Sequence, residues 1–331
     1  MDQKPTLVTG ATGFVGSAVA RALLAQSHHL RLLVRPTSDR RNIEGLDAEQ
    51  ATGDLTDPSS LAAAASGCRY VFHIAADYRI WVPNPSQMLR ANVDGTVAMI
   101  RAAQDAGAER IVYCSSVAAL GFTTDGSAAT ETTPVDPTAI VSTYKRSKYE
   151  AEQAALALAR QGAPVVIVNP AAPVGPRDIK PTPTGRMVLE AAAGKTPAYV
   201  DTGLNIVHVD DVAEGYVLAL KRGRIGEKYI LGGENLTLKE LLTLIAEIAG
   251  RRPPSIRLPV EVVWPVAIAM EALGRFGIEP RVTRDHLRMA KKKMFYSSAK
   301  AMRELGYAPR PARQAIIDAV TWFRQAGMLP G

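Results

Sequence analysis

Cysteine and aromatic residues are scarce in this chain. Only Cys68 and Cys114 are cysteines among the 331 residues, and both lie in or beside apolar runs. Two cysteines cannot form a disulfide framework, so we expect two reduced thiols and a cytoplasmic protein. Phe, Trp and Tyr make up 6% of the residues and are not interleaved with basic residues. Nucleic acid is therefore not an expected partner.

Long apolar runs are also missing. No run reaches the roughly 18 apolar residues that a membrane-spanning helix needs. A strand-like run begins directly after Pro5, so we expect no signal peptide. The contents of 47% hydrophobic and 21% charged residues are typical of a globular enzyme-sized protein. The net charge of +7 is spread along the chain and suits an anionic ligand.

Strand-length apolar runs alternate with helix-like stretches through the first half of the chain. The runs cover residues 6–9, 30–34, 70–75, 111–114 and 164–168, with a weaker one at 49–52. Strands that are apolar on both faces and alternate with helices indicate a parallel sheet covered on both sides. We therefore predict an α/β protein with a Rossmann-type, doubly wound parallel sheet.

The pattern changes after residue 170, where prolines crowd one stretch and helices then mix with short apolar runs. We predict a dinucleotide-binding domain over residues 1–170, to which a later segment at about 203–222 returns. Residues 171–331 are predicted to form most of a smaller α+β lobe that binds substrate.

Residues 10–16 read Gly-Ala-Thr-Gly-Phe-Val-Gly, between a predicted strand and a predicted helix. Gly10 allows a tight turn, Gly13 lets the backbone approach a pyrophosphate, and Gly16 lets the helix pack closely on the strand. The amides and dipole of the helix N-terminus favour an anion. We predict that this turn binds a dinucleotide, through a set that also includes Thr12, Phe14 and Val15.

The choice of cofactor depends on the residue after the second strand, where NAD-binding proteins usually place an acid. Here that residue is Arg35, whose guanidinium suits a 2′-phosphate. We therefore favour NADP(H), with Arg40 or Arg41 assisting. Asp39 lies nearby, which leaves NAD(H) open.

An acidic segment follows the weak third strand. Asp54, beside Leu55, is predicted to accept a hydrogen bond from the adenine amino group. Asp57 precedes Pro58 at the start of a helix-like stretch, so we predict that it caps this helix.

Three residues form a candidate catalytic group. Ser116 follows the strand that ends at Cys114, at the edge where open α/β sheets bind ligands. Tyr144 and Lys148 are four residues apart on a predicted helix, so they share a face about 6 Å apart. An ammonium lowers the pKa of a neighbouring phenol. We expect Tyr144 to exchange a proton with the substrate, Ser116 to orient the substrate oxygen, and Lys148 also to bind the nicotinamide ribose.

Other polar residues are candidates for substrate binding. Asp77, Tyr78 and Arg79 follow a strand at the ligand edge, and Arg177 lies in the proline-rich loop. An ordinary loop remains the alternative for the first three.

His208 stands close to two acids, Asp210 and Asp211, in a pattern that a metal or acid–base site also uses. A strand histidine followed by a helix with an aspartate N-cap explains it better, and we expect no metal site.

Residues 258–276 are unusually apolar and precede Lys291, Lys292 and Lys293. This combination suggests contact with a membrane surface or with an apolar polycyclic substrate. A helix packed on the core is the alternative.

Residues 9–16, 73–76, 115–116 and 144–148 together resemble the extended short-chain dehydrogenases, and the resemblance covers nearly the whole chain. It implies that Ala75, Ala76, Ser115 and Pro170 line the cofactor, and that Ser116 is the catalytic serine, with Ser115 as the alternative. It also implies that Asn92 supports the active-site strand. Members of this group are often dimers, which leaves a homodimer open.

Residues 35–41, 75–79, 175–185 and 208–215 resemble the bacterial hopanoid-associated sugar epimerases, a family close to dihydroflavonol 4-reductases. Ala171 and Ala172 depart from the pattern, which has a small hydroxyl residue there. The resemblance implies an NADP(H)-dependent oxidoreductase acting on a sugar-like or polyol substrate, small or lipid-linked, in hopanoid biosynthesis. An epimerase that retains NAD(P) and a cofactor-sensing regulator remain alternatives.

Overall fold

The computed structural model describes residues 4–79, 82, 84–123, 125–140, 142–274, 284–290 and 292–329. Its strands are β1 (Thr6–Thr9), β2 (Leu30–Val34), β3 (Ala48–Thr52), β4 (Tyr70–His73), β5 (Arg110–Cys114), β6 (Val165–Pro170), β7 (Ala172–Val174), β8 (Ala198–Tyr199), β9 (Gly203–His208), β10 (Lys228–Leu231), β11 (Glu234–Thr237), β12 (Ile256–Arg257) and β13 (Lys293–Met294). Its helices are α1 (Phe14–Leu24), α2 (Pro58–Ala65), α3 (Pro85–Leu89), α4 (Gly95–Asp105), α5 (Thr143–Arg160), α6 (Pro183–Ala192), α7 (Val209–Arg222), α8 (Leu238–Ala249), α9 (Val260–Gly274), α10 (Arg284–Ala290), α11 (Ala299–Leu305) and α12 (Ala312–Gln325).

The main sheet has seven parallel strands in the order β10-β6-β5-β4-β1-β2-β3. One hydrophobic core lies between this sheet and α1, α7 and α11, and a second lies between the sheet and α2, α4 and α5. The predicted α/β class and the doubly wound Rossmann-type sheet are therefore confirmed. The weak run at residues 49–52 is a genuine strand at the sheet edge, β3.

Local sequence signals begin and end several helices as expected. The Asp57 side chain accepts hydrogen bonds from the amides of Ser59 and Ser60, so it caps α2 as predicted. Thr237 and Glu240 form a capping box at the start of α8, and Gly250 ends that helix in the left-handed conformation.

The second lobe has its own small sheets and core. Strands β11, β9 and β13 form one sheet with β7 beside β9, and β12 pairs with β8. Helices α6, α8 and α12 pack around a third core. The segments that return to the first lobe differ from the predicted residues 203–222. Strand β9 belongs to the second lobe, whereas α7 packs on α1 and β10 joins the main sheet.

The apolar segment near residue 260 forms α9, whose proline lies inside the helix at Pro265. Among the residues that the structure describes, no helix has both the length and the apolar character needed to cross a bilayer.

Candidate active site

The predicted site residues meet at one edge of the main sheet. The strand registers pair Thr9 with His73 and His73 with Tyr113, so β1, β4 and β5 end side by side. The residues that follow these parallel strands therefore share the carboxyl edge, where open α/β sheets bind ligands. They are Gly10 after β1, Arg35 after β2, Asp54 after β3, Ala75 and Ala76 after β4, and Ser115 and Ser116 after β5, with Pro170 ending β6.

The glycine turn has no room for side chains at two positions. Gly10 has a φ of 74°, and a Cβ there would lie 2.7 Å from the Ala75 nitrogen. A Cβ at Gly16 would lie 2.1 Å from the Gly10 carbonyl oxygen. The turn is thus pressed against the residues that follow β4, and Gly16 lets α1 pack closely on the end of β1, as predicted.

The start of α1 suits a phosphate group. Gly13 is its N-cap, and no side chain caps the first amides of this helix. These amides and the helix dipole therefore remain suited to an anion, so the residues present fit a dinucleotide. The Phe14 ring is buried in the core and Val15 packs against it, so both residues would reach a ligand through their backbone. Thr12 is half-buried, and its carbonyl accepts a bond from Asn42.

A buried histidine, His73, is hydrogen-bonded to Thr9, the residue before the glycine turn. The Nδ1 of His73 lies 3.0 Å from the Thr9 hydroxyl, and its Nε2 lies 3.1 Å from the Thr96 hydroxyl. The Thr9 oxygen also accepts bonds from the Ile74 and Ala75 amides. Burial lowers the pKa of His73 to about 3, so the ring is neutral. Neither threonine was singled out from the sequence, because an ordinary strand or helix threonine carries no local signal.

The rim next to β2 carries the charges that bear on cofactor choice. Arg35 is exposed directly after β2. Asp39 is instead held by its neighbour, because Arg41 Nη2 lies 2.7 Å from its Oδ2, and Lys180 Nζ lies 3.6 Å from the same atom. The hydrogen bonds from Arg41 keep the pKa of Asp39 well below its usual range.

Asp54 is likewise occupied in part by its own loop. Its Oδ1 accepts bonds from the backbone and the hydroxyl of Thr56, which lower the pKa of this carboxyl. Leu55 is half-buried and packs on the core beneath α4.

Ser116, Tyr144 and Lys148 are brought together as predicted. Tyr144 lies in the first turn of α5, and the Ser116 hydroxyl is close enough to its phenol to lower the pKa of that group. Burial nevertheless raises the pKa of Tyr144 to about 12, because the hydroxyl offsets only part of the effect. The prediction of a lowered pKa for Tyr144 is therefore wrong, because desolvation dominates.

Lys148 is bound to the strand end instead. Its side chain is 3% exposed, and its Nζ donates to the Cys114 carbonyl oxygen at 2.7 Å. Desolvation lowers the pKa of this amine below its ordinary value. The amine is thus a fixed donor at the edge of the sheet, one turn from Tyr144.

Glu152 was missed from the sequence, although it lies two turns beyond Tyr144 on the same face of α5. It is fully buried, and it accepts hydrogen bonds from Ser115 Oγ at 2.6 Å and from Asn169 Nδ2 at 2.6 Å. Lys228 Nζ lies 3.1 Å from its other oxygen. The Ser115 hydroxyl is therefore committed to Glu152, and this residue would meet a cofactor through its backbone.

Asn92, which the resemblance implied would support the active-site strand, bonds the loop after β4 and the catalytic helix. It lies in a π-helical segment, Arg90–Asp94, between α3 and α4. Its side chain exchanges two hydrogen bonds with the Asp77 backbone and bonds the Ser147 hydroxyl of α5. Such π segments are frequent at functional sites, and this one links the loop after β4 to the catalytic helix.

The residues predicted to bind substrate divide into two groups. Asp77 and Arg79 form an ion pair, and Tyr78 is 49% exposed beside them. Asp178, a buried residue of the same proline-rich loop as Arg177, adds to the effect of burial in raising the pKa of Tyr78. Burial raises the pKa of Asp178 itself to about 6.

Arg177 lies apart from this group. It has a φ of 73° and pairs with Asp210 at the start of α7. It is also close enough to Arg21 of α1 to lower the pKa of that residue. Its guanidinium is therefore directed towards α1 and α7 rather than towards Tyr144.

The predicted aspartate N-cap of α7 is wrong. His208 is the N-cap itself, because its Nδ1 accepts a hydrogen bond from the Asp210 amide at 3.0 Å. Its Nε2 faces Asp318 at 3.0 Å, and Asp211 pairs with Arg310. A ring nitrogen at this position reaches the same amide that an aspartate would cap. In the described part of the chain, no three His, Cys, Asp or Glu side chains are grouped to hold a metal.

This fold and this edge define a nicotinamide-dependent enzyme of the oxidoreductase and epimerase class. The chain belongs to the NAD dependent epimerase/dehydratase family, whose model matches residues 6–232. The match ends one residue beyond β10, so it covers the whole main sheet.

Three individual proteins are similar over almost their whole length. The crystal structure of gox2253 is 62% identical, with a TM-score of 0.89, over 98% of this chain and 99% of that one. A Synechocystis protein with a provisional dihydroflavonol 4-reductase name is 42% identical over 97% of this chain and 94% of its own. Sterol demethylase protein B of Methylococcus capsulatus is 35% identical over 98% and 99%. The expected extended short-chain dehydrogenase membership and the likeness to dihydroflavonol 4-reductases are thus confirmed.

Proposed function

We propose that this protein is an NADP(H)-dependent reductase of a carbonyl group on a sugar-like or polyol substrate. The observation that carries the proposal is the position of the Tyr144 phenol, close to Ser116 and one helical turn from Lys148, with a raised pKa that leaves it protonated at neutral pH. A protonated phenol beside a substrate oxygen is an acid, which is what carbonyl reduction requires.

The roles of the three residues follow from their surroundings. The nicotinamide, when bound, supplies or accepts the hydride. The Ser116 hydroxyl binds the substrate oxygen and stabilises negative charge as it develops. Tyr144 gives that oxygen a proton. Lys148, held by the Cys114 carbonyl, places a positive charge one helical turn from the phenol and would bind the nicotinamide ribose of a bound cofactor.

The preference for NADP(H) rests on the rim after β2. Arg35 is exposed there and can bond a 2′-phosphate in a bidentate manner. Asp39, the residue that left NAD(H) open, is bound by Arg41 and approached by Lys180. An aspartate engaged in this way competes poorly for a ribose hydroxyl, and the surrounding positive charges favour a phosphate.

Two further observations favour a substrate in which the polyol is attached to an apolar, polycyclic molecule. The chain resembles the hopanoid-associated sugar epimerases, and a sterol demethylase component is among its relatives. We propose a role in hopanoid lipid biosynthesis on this basis, with Asp77, Tyr78, Arg79 and Asp178 near the polar end of the substrate.

The second candidate is an epimerase that oxidises and re-reduces one carbon while it retains its cofactor. The family name includes epimerases, which favours this candidate. The two activities differ in net cofactor use. Purified protein is incubated with NADPH and a panel of open-chain aldoses, beginning with D-glyceraldehyde, while absorbance at the nicotinamide band is followed. A reductase consumes NADPH in a 1:1 ratio with polyol formed. Sugar isomerisation without net NADPH loss would replace the reductase with the epimerase.

We also propose that α9 contacts a lipid surface. Val262, Pro265, Val266 and Ala269 are all exposed and follow one another at helical spacing on one side of the helix. Val262 and Val266 are 62% and 53% exposed, whereas Ala267 on the other side is buried. Lys292 and Lys293 are exposed further along the chain, and Lys291 lies outside the described residues. An interfacial helix buries such an apolar stripe in the membrane surface, and exposed lysines near it add attraction to anionic lipids.

Flotation with liposomes tests this contact. The wild-type protein should float with vesicles that contain an anionic lipid, and a Val262→Ser/Val266→Ser variant should not. An exposed substitution elsewhere, Met302→Ser on α11, should float like the wild type. Absence of wild-type binding to any vesicle would end the proposal.

A further inference from the structure

We propose that Glu152 is a positioning residue, which holds the Ser115–Ser116 peptide in place opposite Tyr144. The proposal rests on the function proposed above for Ser116 and Tyr144. Glu152 is fully buried, and both of its oxygens are used by neighbours from other elements.

One face of α5 matches the end of β5 residue by residue. Tyr144, Lys148 and Glu152 are spaced by four residues, so they line one side of α5. They contact three consecutive residues after or at the end of β5. Tyr144 meets Ser116, Lys148 meets the Cys114 carbonyl, and Glu152 meets the Ser115 hydroxyl.

The backbone of the catalytic serine, Ser116, is held through Asn169. Asn169 Nδ2, at the end of β6, donates both to Glu152 Oε2 at 2.6 Å and to the Ser116 carbonyl oxygen at 3.0 Å. Glu152 therefore reaches Ser116 by two routes, through the Ser115 side chain and through Asn169. Together these bonds fix the peptide on both sides of the residue that faces Tyr144.

The side-chain amide of Asn169 has only one possible orientation. Its two neighbours, the Glu152 carboxylate and the Ser116 carbonyl, are both acceptors, so the amide nitrogen must face them. The Asn169 Oδ1 is then buried with no partner among the described residues. A buried oxygen without a partner is costly, which indicates that the contacts to Glu152 and Ser116 determine this arrangement.

The charge of Glu152 is balanced by Lys228. Lys228 of β10 lies against Glu152 Oε1 at 3.1 Å and is itself mostly buried. A buried pair of this kind keeps the carboxylate in one place, since its loss leaves an uncompensated charge. Lys228 thus holds one oxygen of the Glu152 carboxylate, and the other oxygen orients Ser115 and Asn169.

The experiment uses the full-length protein with ¹³Cζ-labelled tyrosine, so that its first readout needs no substrate. The Tyr144 NMR signal is assigned by its loss in Tyr144→Phe. Glu152→Gln and Ser115→Ala should both shift this signal, because each lets Ser116 move relative to the phenol. Glu150→Gln is the matched control, since Glu150 lies on the same helix but pairs at the surface with Arg146.

Kinetics of NADPH oxidation with D-glyceraldehyde provide the second readout. We expect kcat to fall by about 10-fold or more in each variant while the Kd for NADPH, from its fluorescence, stays within about twofold. The double variant should be no slower than the slower single one, because both substitutions break the same link. A merely structural role would lower the melting temperature and leave kcat and the Tyr144 signal alone.

Either of two results would overturn the proposal. One is an unchanged Tyr144 signal in folded Ser115→Ala and Glu152→Gln. The other is losses in kcat that multiply in the double variant. If Glu152→Gln does not fold because Lys228 is left unpaired, Ser115→Ala decides alone, since it leaves the ion pair intact. Turnover that survives in Tyr144→Phe would instead refute the proposed function, which keeps the two failures distinct.

Discussion

The Lys148 side chain donates a hydrogen bond to the Cys114 carbonyl oxygen at 2.7 Å. Because Cys114 is the last residue of β5, this bond ties the catalytic helix to the strand that carries Ser116. The ammonium is therefore held at the sheet edge by the backbone rather than by the phenol. The positive charge of Lys148 therefore stays at the site, because a backbone carbonyl of β5 fixes the position of the amine.

The pH dependence of carbonyl reduction follows from the two buried groups. Reduction needs the protonated phenol and the ammonium. The pKa of Lys148 is lowered by desolvation and that of Tyr144 is raised to about 12, so Lys148 loses its proton first. We expect kcat to be level near neutral pH and to fall on the alkaline side, before the phenol titrates. A kcat for reduction that rises steadily between pH 7 and pH 10 would contradict this assignment.

Cofactor preference should depend on Arg35. Replacing it in Arg35→Gln removes a charge-assisted contact worth about 1.5–3 kcal/mol, so the Kd for NADPH should rise by about 10- to 150-fold. The Kd for NADH should stay within about twofold. Titration of nicotinamide fluorescence measures both values. Arg101→Gln, an exposed change on α4, serves as the control. Equal weakening of both cofactors would show that Arg35 does not read the 2′-phosphate.

The glycine turn should not tolerate a methyl group at residue 16. In Gly16→Ala the new Cβ would lie 2.1 Å from the Gly10 oxygen, so the turn must open. We expect loss of NADPH binding and a destabilisation of at least about 2 kcal/mol in urea unfolding.

Gly45→Ala is the matched control for that substitution. Gly45 has a φ of 72°, but a Cβ at this residue would have no atom within 4 Å of it. This variant should lose only about 1–2 kcal/mol through backbone strain and should bind NADPH normally. Normal binding by Gly16→Ala would mean that the turn is not the phosphate site.

His73 should make stability sensitive to acid. Its pKa is about 3 in the folded protein, against 6.5 for an ordinary histidine, mainly because of burial. Between these values the unfolded chain binds a proton that the folded protein does not, so stability falls as pH falls below 6.5. The slope from this residue is about 1.4 kcal/mol for each pH unit.

The variant His73→Gln should be less stable at pH 8, because it loses part of the bonding to Thr9 and Thr96. Its unfolding free energy should nevertheless vary less between pH 6.5 and pH 4, measured by urea titration at each pH. Met302→Ser, an exposed substitution that changes no titratable group, should keep the wild-type slope. An unchanged slope in His73→Gln would show that the ring is not held neutral.

The sequence was most informative where function imposes a spacing. The glycines at 10, 13 and 16 predicted a turn, and the four-residue interval between Tyr144 and Lys148 predicted a shared helix face. Both depend on local geometry, which periodicity reveals. The same interval continues to Glu152, so a longer pattern was present and could have been used.

Tertiary partners could not be inferred in this way. Nothing near Asp39 in the sequence indicates that Lys180, from a loop about 140 residues later, approaches it. Likewise, the acidic pair after His208 looked like a helix cap, and only the fold shows Arg177 and Arg310 on those acids. The raised pKa of Tyr144 depends on burial, which spacing alone does not determine.

Turnover by Tyr144→Phe is the most direct test of the central claim. The substitution removes one hydroxyl and leaves the ring, Lys148 and the glycine turn in place. We expect NADPH oxidation with the wild-type carbonyl substrate to fall by about 100-fold or more, while the Kd for NADPH stays within about twofold. Wild-type turnover by a folded, NADPH-binding Tyr144→Phe would contradict the account.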